Sequence, residues 1–163
     1  MFSDALDREA AWLAEDSGGG LPVLKRPVGP FEIIQPRWPR VASTRKTSIY
    51  VLRAPGMSGR IQRTAGQRSM LTTRFVLHLK WPLTNGAGSA EAEQLLFEQA
   101  IDHVLTRVQG PFGDKTHGGR FQSVAESPDY IDVDYSDPER GIADGGIFTA
   151  TITYSADDPD FNN

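Results

Sequence analysis

Cysteine is absent from this chain of 163 residues. Its absence excludes disulfide bonds, thiolate nucleophiles and cysteine metal sites. No apolar run approaches the roughly 20 residues that a membrane-spanning helix needs. The acidic, amphipathic stretch MFSDALDREAAWLAED is typical of neither a secretory signal nor a transit peptide. We therefore expect a single domain over residues 1–163, made in the cytoplasm and without contact to a membrane.

Acidic residues are missing from the segment 37–80, which holds ten Lys and Arg side chains. The segment 121–163 is the reverse, with ten acids and Arg140 as its sole base. The two segments either neutralise each other inside one fold or face each other across a subunit boundary, where complementary potentials set register and partner choice. The composition leaves both readings open.

Signatures of catalysis and of metal binding are also missing. No nucleophile elbow or phosphate-binding loop occurs. His78, His103 and His117 lack ligand partners at metal-binding spacing, so we interpret them as ordinary surface or half-buried histidines. The glycines after His117 indicate a tight turn that leads Arg120 and Phe121 into a strand. We predict no catalytic residue, no metal site and no cofactor, and hence a protein that is not an enzyme.

Two stretches have the apolar periodicity of amphipathic helices. The longer one covers residues 89–108, with Ser89 as its N-cap and Arg107 near its negative end. Its predicted core side chains are Leu96, Phe97, Ala100, Ile101, Val104, Leu105 and Val108. The shorter one covers residues 3–15, with Ser3 as its N-cap and a buried stripe of Phe2, Leu6, Ala10 and Leu13.

Strands are predicted where apolar and polar side chains alternate or where β-branched residues cluster. These strands cover residues 31–35 (an edge strand), 48–53, 72–83, 121–125, 130–135 and 147–154. Residues 136–140 are predicted to form a turn, and the acidic tail after Tyr154 to end near the surface. The pattern indicates an α+β fold, a mostly antiparallel sheet with one long central helix and an N-terminal helix packed on it.

A long loop is predicted at residues 54–70, where glycine and arginine recur with little apolar content. It is either a solvated hairpin tip or an arm that touches a partner or a polyanion. Arg60, Arg63 and Arg68 are its candidate contacts. Arg74 on the basic strand face, with Asp132 and Asp134 on the acidic strand, completes the set of candidate interface residues.

Several segments together give the chain a family likeness that spans nearly its whole length: SDALDREAAWLAED, PRWPR, IYVLR, KWP, RVQGPFGDKTHGGRFQSVAE and DYSDPERGIADGGIFTATITYSADDPD. In these segments the chain resembles the tail terminator (tail completion) proteins of long non-contractile-tailed actinobacteriophages. The resemblance implies an α+β subunit of a six-fold ring that caps the tail tube, ends tail polymerisation and joins the tail to the head. The long loop and the proline-rich segment 21–40 depart from the plainer members of that family.

The resemblance also implies partners and a location. The partners are further copies of the chain, the tail tube protein, a head-to-tail connector or stopper protein, and genomic DNA passing through the lumen. The location is the tail or neck of the virion, assembled in the host cytoplasm. The family has no cofactor and no active site, so the resemblance assigns no catalytic or binding residue.

Two alternatives stay open. One is a different neck protein, the head-completion stopper, although the long helix counts against that more β-rich type. The other is a nucleic-acid-binding module that uses the basic segment 37–80, with Trp38 and Tyr50 interspersed among its bases.

Charge reversal of Arg60, Arg63 and Arg68 to Glu is expected to impair ring formation or tail joining, since the loop would then repel an acidic partner. Electron microscopy of the purified variant at low salt measures this. Normal assembly under those conditions removes the loop from the interface.

Overall fold

The computed structural model of the protein describes residues 2–16, 20–54, 59–63, 69–83, 90–109, 116–121, 123–124, 131–143 and 146–158. These residues combine α-helices with a mostly antiparallel sheet, a mixed fold compatible with the predicted α+β class. The described helices are α1 (Ala5–Ala14), α2 (Ala90–Gln109) and α3 (Pro138–Ala143). The described strands are β1 (Ile33–Pro36), β2 (Ser48–Arg53), β3 (Gly59–Arg63), β4 (Ser69–Pro82), β5 (Ser123–Val124), β6 (Asp132–Tyr135) and β7 (Ile147–Asp158).

The two longest strands, β4 and β7, pair antiparallel from Leu71↔Asp158 to Pro82↔Ile147. The free edge of β4 takes β2 along one half and β3 along the other. The free edge of β7 takes β6 and β5 in the same way. β1 extends the sheet beyond β2 and is the parallel member, an edge strand as predicted.

A β-hairpin replaces much of the loop that the sequence predicts over residues 54–70. β3 pairs with the start of β4 from Gly59↔Thr73 to Arg63↔Ser69. The start of β4 extends past the end of β2, and its backbone N–H and C=O groups along that edge need partners, which β3 supplies. The loop prediction is therefore wrong for residues 59–63 and 69–70, whereas residues 55–58 and 64–68 lie outside the described part.

The alternation along β4 and β7 places one set of side chains in the core, as predicted. On β4 these are Phe75, Leu77, Leu79 and Trp81, and on β7 they are Phe148, Ala150, Ile152 and Tyr154. The ring of Phe97 on α2 lies over this face, with its centroid 5.7 Å from that of Trp81 and 6.3 Å from that of Phe148. The apolar stripe of α2 therefore packs on the core face of the sheet.

The prediction that Leu96 of α2 lies in the core is wrong. Its side chain is 50% exposed, whereas the neighbouring Phe97 is fully buried. Successive helical residues are rotated by about 100°, so a helix that buries Phe97 turns Leu96 to its flank. Arg107 lies near the end of α2 as predicted, but its side chain is completely buried.

The N-terminal helix begins later than predicted and is not capped by Ser3. Residues Phe2–Asp4 form a 3₁₀ turn, and Asp4 takes the N-cap position without a capping hydrogen bond from its side chain. Leu6, Ala10 and Leu13 are buried as predicted. α1 lies against β1 and β2, so it contributes to the core beside the sheet.

One prediction for the acidic third of the chain is also wrong. Residues 136–140 are not a simple turn, because α3 starts at Pro138. Asp137 Oδ1 accepts the Glu139 N–H at 3.0 Å, and proline suits the first helical position. β7 continues past Tyr154 to Asp158, whose carboxylate is fully buried and paired with the Arg8 guanidinium. The predicted position of the end of the tail falls on residues 159–163, outside the described part.

Replacing Phe97 by Ala is expected to lower the free energy of unfolding by about 3–5 kcal/mol, because it removes a buried ring and leaves a cavity. The matched control is Leu96→Ala, which truncates the adjacent exposed side chain and should change stability by less than about 0.5 kcal/mol. Urea unfolding followed by circular dichroism measures both. Equal losses in the two variants contradict this orientation of α2.

Candidate interaction surface

The register of the sheet decides which charged residues share its outer face, the face opposite α2. His78 on β4 lies across from Thr151, which lies across from Asp134 on β6. In the same way, Val76 lies across from Thr153 and Asp132. Bases of the segment 37–80 and acids of the segment 121–163 therefore share one face, on strands separated by β7.

The connection between β1 and β2 crosses this outer face and carries most of its exposed bases. The ring of Trp38 packs on Tyr50 and His78, with centroid distances of 4.9 Å and 5.1 Å. Lys80 Nζ lies 5.7 Å from the Trp38 ring centroid, within cation–π range. We call this surface the basic platform; its residues are Trp38, Arg40, Val41, Arg45, Lys46 and Lys80.

A local turn holds the outer part of the basic platform. Ser43 Oγ accepts the backbone N–H groups of Arg45 at 3.3 Å and of Lys46 at 3.2 Å. Burial, and then the charge of Lys80, lower the pKa of His78 below its ordinary value. His78 is therefore uncharged at pH 7, and the positive charge of the platform comes from its arginines and lysines.

Toward the other edge of the sheet the surface is acidic. β6 exposes Asp132 and Asp134, and α3 follows directly with Asp137 and Glu139. Ile142 of α3 is 48% exposed near these acids. We call this surface the acidic edge; its residues are Asp132, Asp134, Asp137, Glu139 and Ile142. Arg140 is the one base within the described part of this edge.

An open groove of about 590 Å³ separates the platform from the edge. Lys80 lines one side, and Asp134, Asp137 and Arg140 line the other, with Thr149 and Ile147 of β7 between them. The two charged patches therefore border the same groove.

The candidate interface residues of the sequence are divided by the structure. Arg74 and Asp132 meet within one chain, with Nη2 and Oδ2 3.5 Å apart in an exposed ion pair of the kind that contributes little stability. Asp134 is exposed on the acidic edge. Arg60 and Arg63 lie on β3 opposite Thr72 and Ser69, with side chains outside the described part, as is Arg68 entirely.

The candidate interface residues predicted from the sequence did not include residues 38–46. The stretch PRWPRVASTRK is a run of bases without acids, but the candidate arginines were chosen from the predicted loop at 54–70 and from Arg74. The position of the run over the outer face follows from Trp38 packing on Tyr50 and His78, a contact that no spacing in the sequence indicates.

A buried polar cluster joins α1 to the rest of the fold. Glu9 is completely buried; its Oε1 accepts the Tyr154 hydroxyl at 2.6 Å and its Oε2 lies 3.0 Å from His117 Nδ1. The His117 ring stacks on Trp12 at 3.6 Å. The interpretation of His117 as a surface or half-buried histidine is thus wrong, since its side chain is 1% exposed. The glycine turn around it is confirmed: Thr116 Oγ1 accepts the Gly119 N–H at 2.9 Å.

Both ring nitrogens of His117 have partners inside the fold. Nδ1 faces the Glu9 carboxyl group, and Nε2 lies 2.8 Å from the Val108 carbonyl oxygen. The ring therefore joins α1 to the end of α2.

Arg107 completes this region by ending α1. Its guanidinium donates to the carbonyl oxygens of Trp12 at 2.6 Å, Glu15 at 2.9 Å and Pro22 at 3.0 Å, and lies 4.7 Å from the Trp12 ring centroid. The carbonyl groups at the end of a helix lack intrahelical donors, so Arg107 supplements the Glu15 N–H that Trp12 accepts at 3.2 Å and supplies a donor to Glu15. With no solvent reaching Glu9, His117 or Arg107, the cluster fits a structural role, not a binding one.

Burial, followed by the Glu9 carboxylate, raises the pKa of Tyr154 well above its ordinary value. The stability that the buried, un-ionised Tyr154 contributes is fully present below the ordinary tyrosine pKa of about 10. It is lost as the pH rises above that value, because Tyr154 ionises first in the unfolded chain. Tyr154→Phe should cost about 1–3 kcal/mol at pH 7, because Glu9 loses a donor, and should flatten the alkaline fall in stability.

Urea unfolding of this variant between neutral and alkaline pH measures both effects. Tyr50→Phe is the matched control, since Tyr50 is also buried but lies on the outer face. It should keep the alkaline fall. An unchanged slope in Tyr154→Phe contradicts the coupling between Tyr154 and Glu9.

The residues that the structure describes include no group of three or more His, Asp or Glu side chains that could hold a metal ion. Among the same residues, no helix is both long and apolar enough to cross a membrane. No protein-family model matches the chain, and no curated protein matches it in sequence. A functional conclusion therefore depends on the charged surface and on the sequence resemblance.

Proposed function

We propose that the protein is a structural virion subunit of the tail terminator type. In this proposal, copies of the chain form a six-fold ring that caps the tail tube, ends its polymerisation and joins it to the head connector or stopper. Genomic DNA passes through the lumen of that ring. The resemblance over nearly the whole sequence supports the assignment, and the structure supplies one physical observation in its favour.

That observation is the separation of charge across the sheet. The basic platform lies over β2 and β4, whereas the acidic edge lies on β6 and α3. A ring built by rotation needs two different, complementary patches on each subunit, since every contact is heterologous. A chain that keeps a positive and a negative patch apart, with exposed apolar side chains in both, has this property.

The interior of the proposed subunit is a scaffold. In this proposal α2 is its central helix, and α1 packs on it through the buried contact between Arg107 and Trp12. The outer face of the sheet, with the basic platform and the acidic edge, is then available to neighbouring proteins. The partners expected at these surfaces are other copies of the chain, the tail tube protein and the connector.

A nucleic-acid-binding module is the second candidate, favoured by Trp38 among Arg40, Arg45 and Lys46. Such a surface contacts phosphates through its bases and can stack a nucleobase on its aromatic ring. The net charge of −4 and the acidic edge count against it. The stopper alternative predicts a more β-rich subunit than one with a helix of 20 residues.

Negative-stain microscopy of the concentrated protein, combined with light-scattering mass, tests the proposal. A hollow ring of six copies is expected, and addition of purified tail tubes should yield tubes closed at one end by that ring. A protein that leaves tube length and tube ends unchanged contradicts the terminator function. A DNA mobility shift at low salt that disappears at high salt instead supports the second candidate.

A further inference from the structure

Two patches toward opposite edges of the sheet expose large apolar side chains within a field of one charge. In the basic platform, Val41 is 83% exposed and Trp38 is 49% exposed. In the acidic edge, Ile142 is 48% exposed. An apolar anchor surrounded by charged residues is the usual composition of a specific protein contact, with its centre apolar and its rim polar.

We propose that the basic platform of one copy docks on the acidic edge of a second copy, head to tail, with Trp38 and Val41 against Ile142. This inference rests on the ring proposed above and names the residues of its subunit contact. It moves the contact away from the loop arginines and onto the segment 38–46.

The strands that carry the two patches lie apart inside one subunit. β4 and β7 lie between β2 and β6, which at the usual strand spacing separates β2 from β6 by about 14 Å. Lys80 lies nearer, on β4, and the groove that it lines with Asp134 and Asp137 occupies the interval. Arg74, outside the platform, reaches Asp132 from β4 within the chain.

The occupant that matches both patches is another copy of the chain. The exposed bases Arg40, Arg45 and Lys46 of the platform match the acids Asp134, Asp137 and Glu139 of the edge, while Asp132 pairs with Arg74 of its own chain. A nucleic acid would satisfy the bases but repel the acids, and it would leave Val41 without an apolar partner. Charge complementarity between copies gives each patch its partner in the same contact.

The ring proposed above requires a heterologous contact. A twofold pair also sets the platform of each copy against the edge of the other, but it stops at the dimer. Repetition of a heterologous contact produces a closed ring or an open filament, depending on the rotation between copies. Cross-linked species larger than a dimer therefore distinguish the proposed contact from a twofold pair.

Because the chain has no cysteine, engineered thiols report this contact without background. The test variant carries Val41→Cys and Ile142→Cys in one full-length chain, treated at low salt with a short bis-maleimide. We expect a ladder of cross-linked species on a denaturing gel. Val41→Cys alone should give no ladder, since the contact joins two different patches.

The matched control is Val41→Cys with Leu96→Cys, because Leu96 is as exposed as Ile142 but lies on the flank of α2. Absence of a ladder from the test variant overturns the proposal. So does a control ladder of equal yield, or efficient dimer formation by Val41→Cys alone.

Charge reversal provides the second test. Arg45→Glu with Lys46→Glu, or Asp134→Lys with Glu139→Lys, should each weaken the concentration-dependent self-association by about tenfold or more in sedimentation at low salt. All four changes in one chain should restore it, because the complementarity is then inverted. The controls are Arg26→Glu and Asp102→Lys, exposed charges outside both patches.

The outcomes separate the contact from the function. Reversals that leave association intact, or a combined variant that does not recover, overturn the contact even if a ring of six forms. If Arg45→Glu with Lys46→Glu abolishes binding to a duplex DNA oligonucleotide but leaves self-association intact, the platform binds nucleic acid and the contact between copies is overturned. If the variant with all four changes recovers self-association but its ring does not close tail tubes, the contact is supported and the terminator function is contradicted.

Discussion

The antiparallel pairing of β4 with β7 is the constraint on which the rest of the structure depends. Every other strand attaches directly or through one neighbour to this ladder, which runs from Leu71↔Asp158 to Pro82↔Ile147. Its core face supports α2, and its two free edges accept the shorter strands. Because side chains alternate along each strand, the ladder fixes which residues enter the core and which reach the outer face.

The same ladder explains how a chain can hold segments of opposite charge side by side without neutralising them. It joins the basic segment to the acidic one through backbone hydrogen bonds, yet places threonines of β7 between the charged rows. Arg74 and Asp132 make an ion pair at the surface, while the platform and the edge remain apart. Backbone pairing thus brings the segments together, and strand spacing keeps their charges available.

Period-two alternation was sufficient to predict the core faces of β4 and β7, because each of these strands buries one face more deeply than the other. β2 was predicted from its β-branched and aromatic residues, and its first four residues are all buried. Alternation failed for β3 and α3. β3 forms because the extended end of β4 needs a partner, and α3 because Asp137 and Pro138 start a helix where they also suit a turn. Only the tertiary fold decides between such local alternatives.

The candidate surface was predictable in charge but not in place. The excess of bases in the segment 37–80 is visible in the sequence, and Asp134 lies on the acidic edge as the strand pattern indicated. The position of the platform depends on the Trp38 contacts across the outer face. The burial of His117 depends on Glu9, 108 residues earlier in the chain, which no local pattern connects to it.

The buried carboxylate of Glu9 has a consequence for the order in which the native structure is completed. Its hydroxyl donor, Tyr154, lies 145 residues further along the chain, and the neighbouring Arg8 pairs with Asp158. α1 therefore cannot dock with its polar groups satisfied until β7, the last of the described strands, has been synthesised. Contacts between such distant residues slow folding.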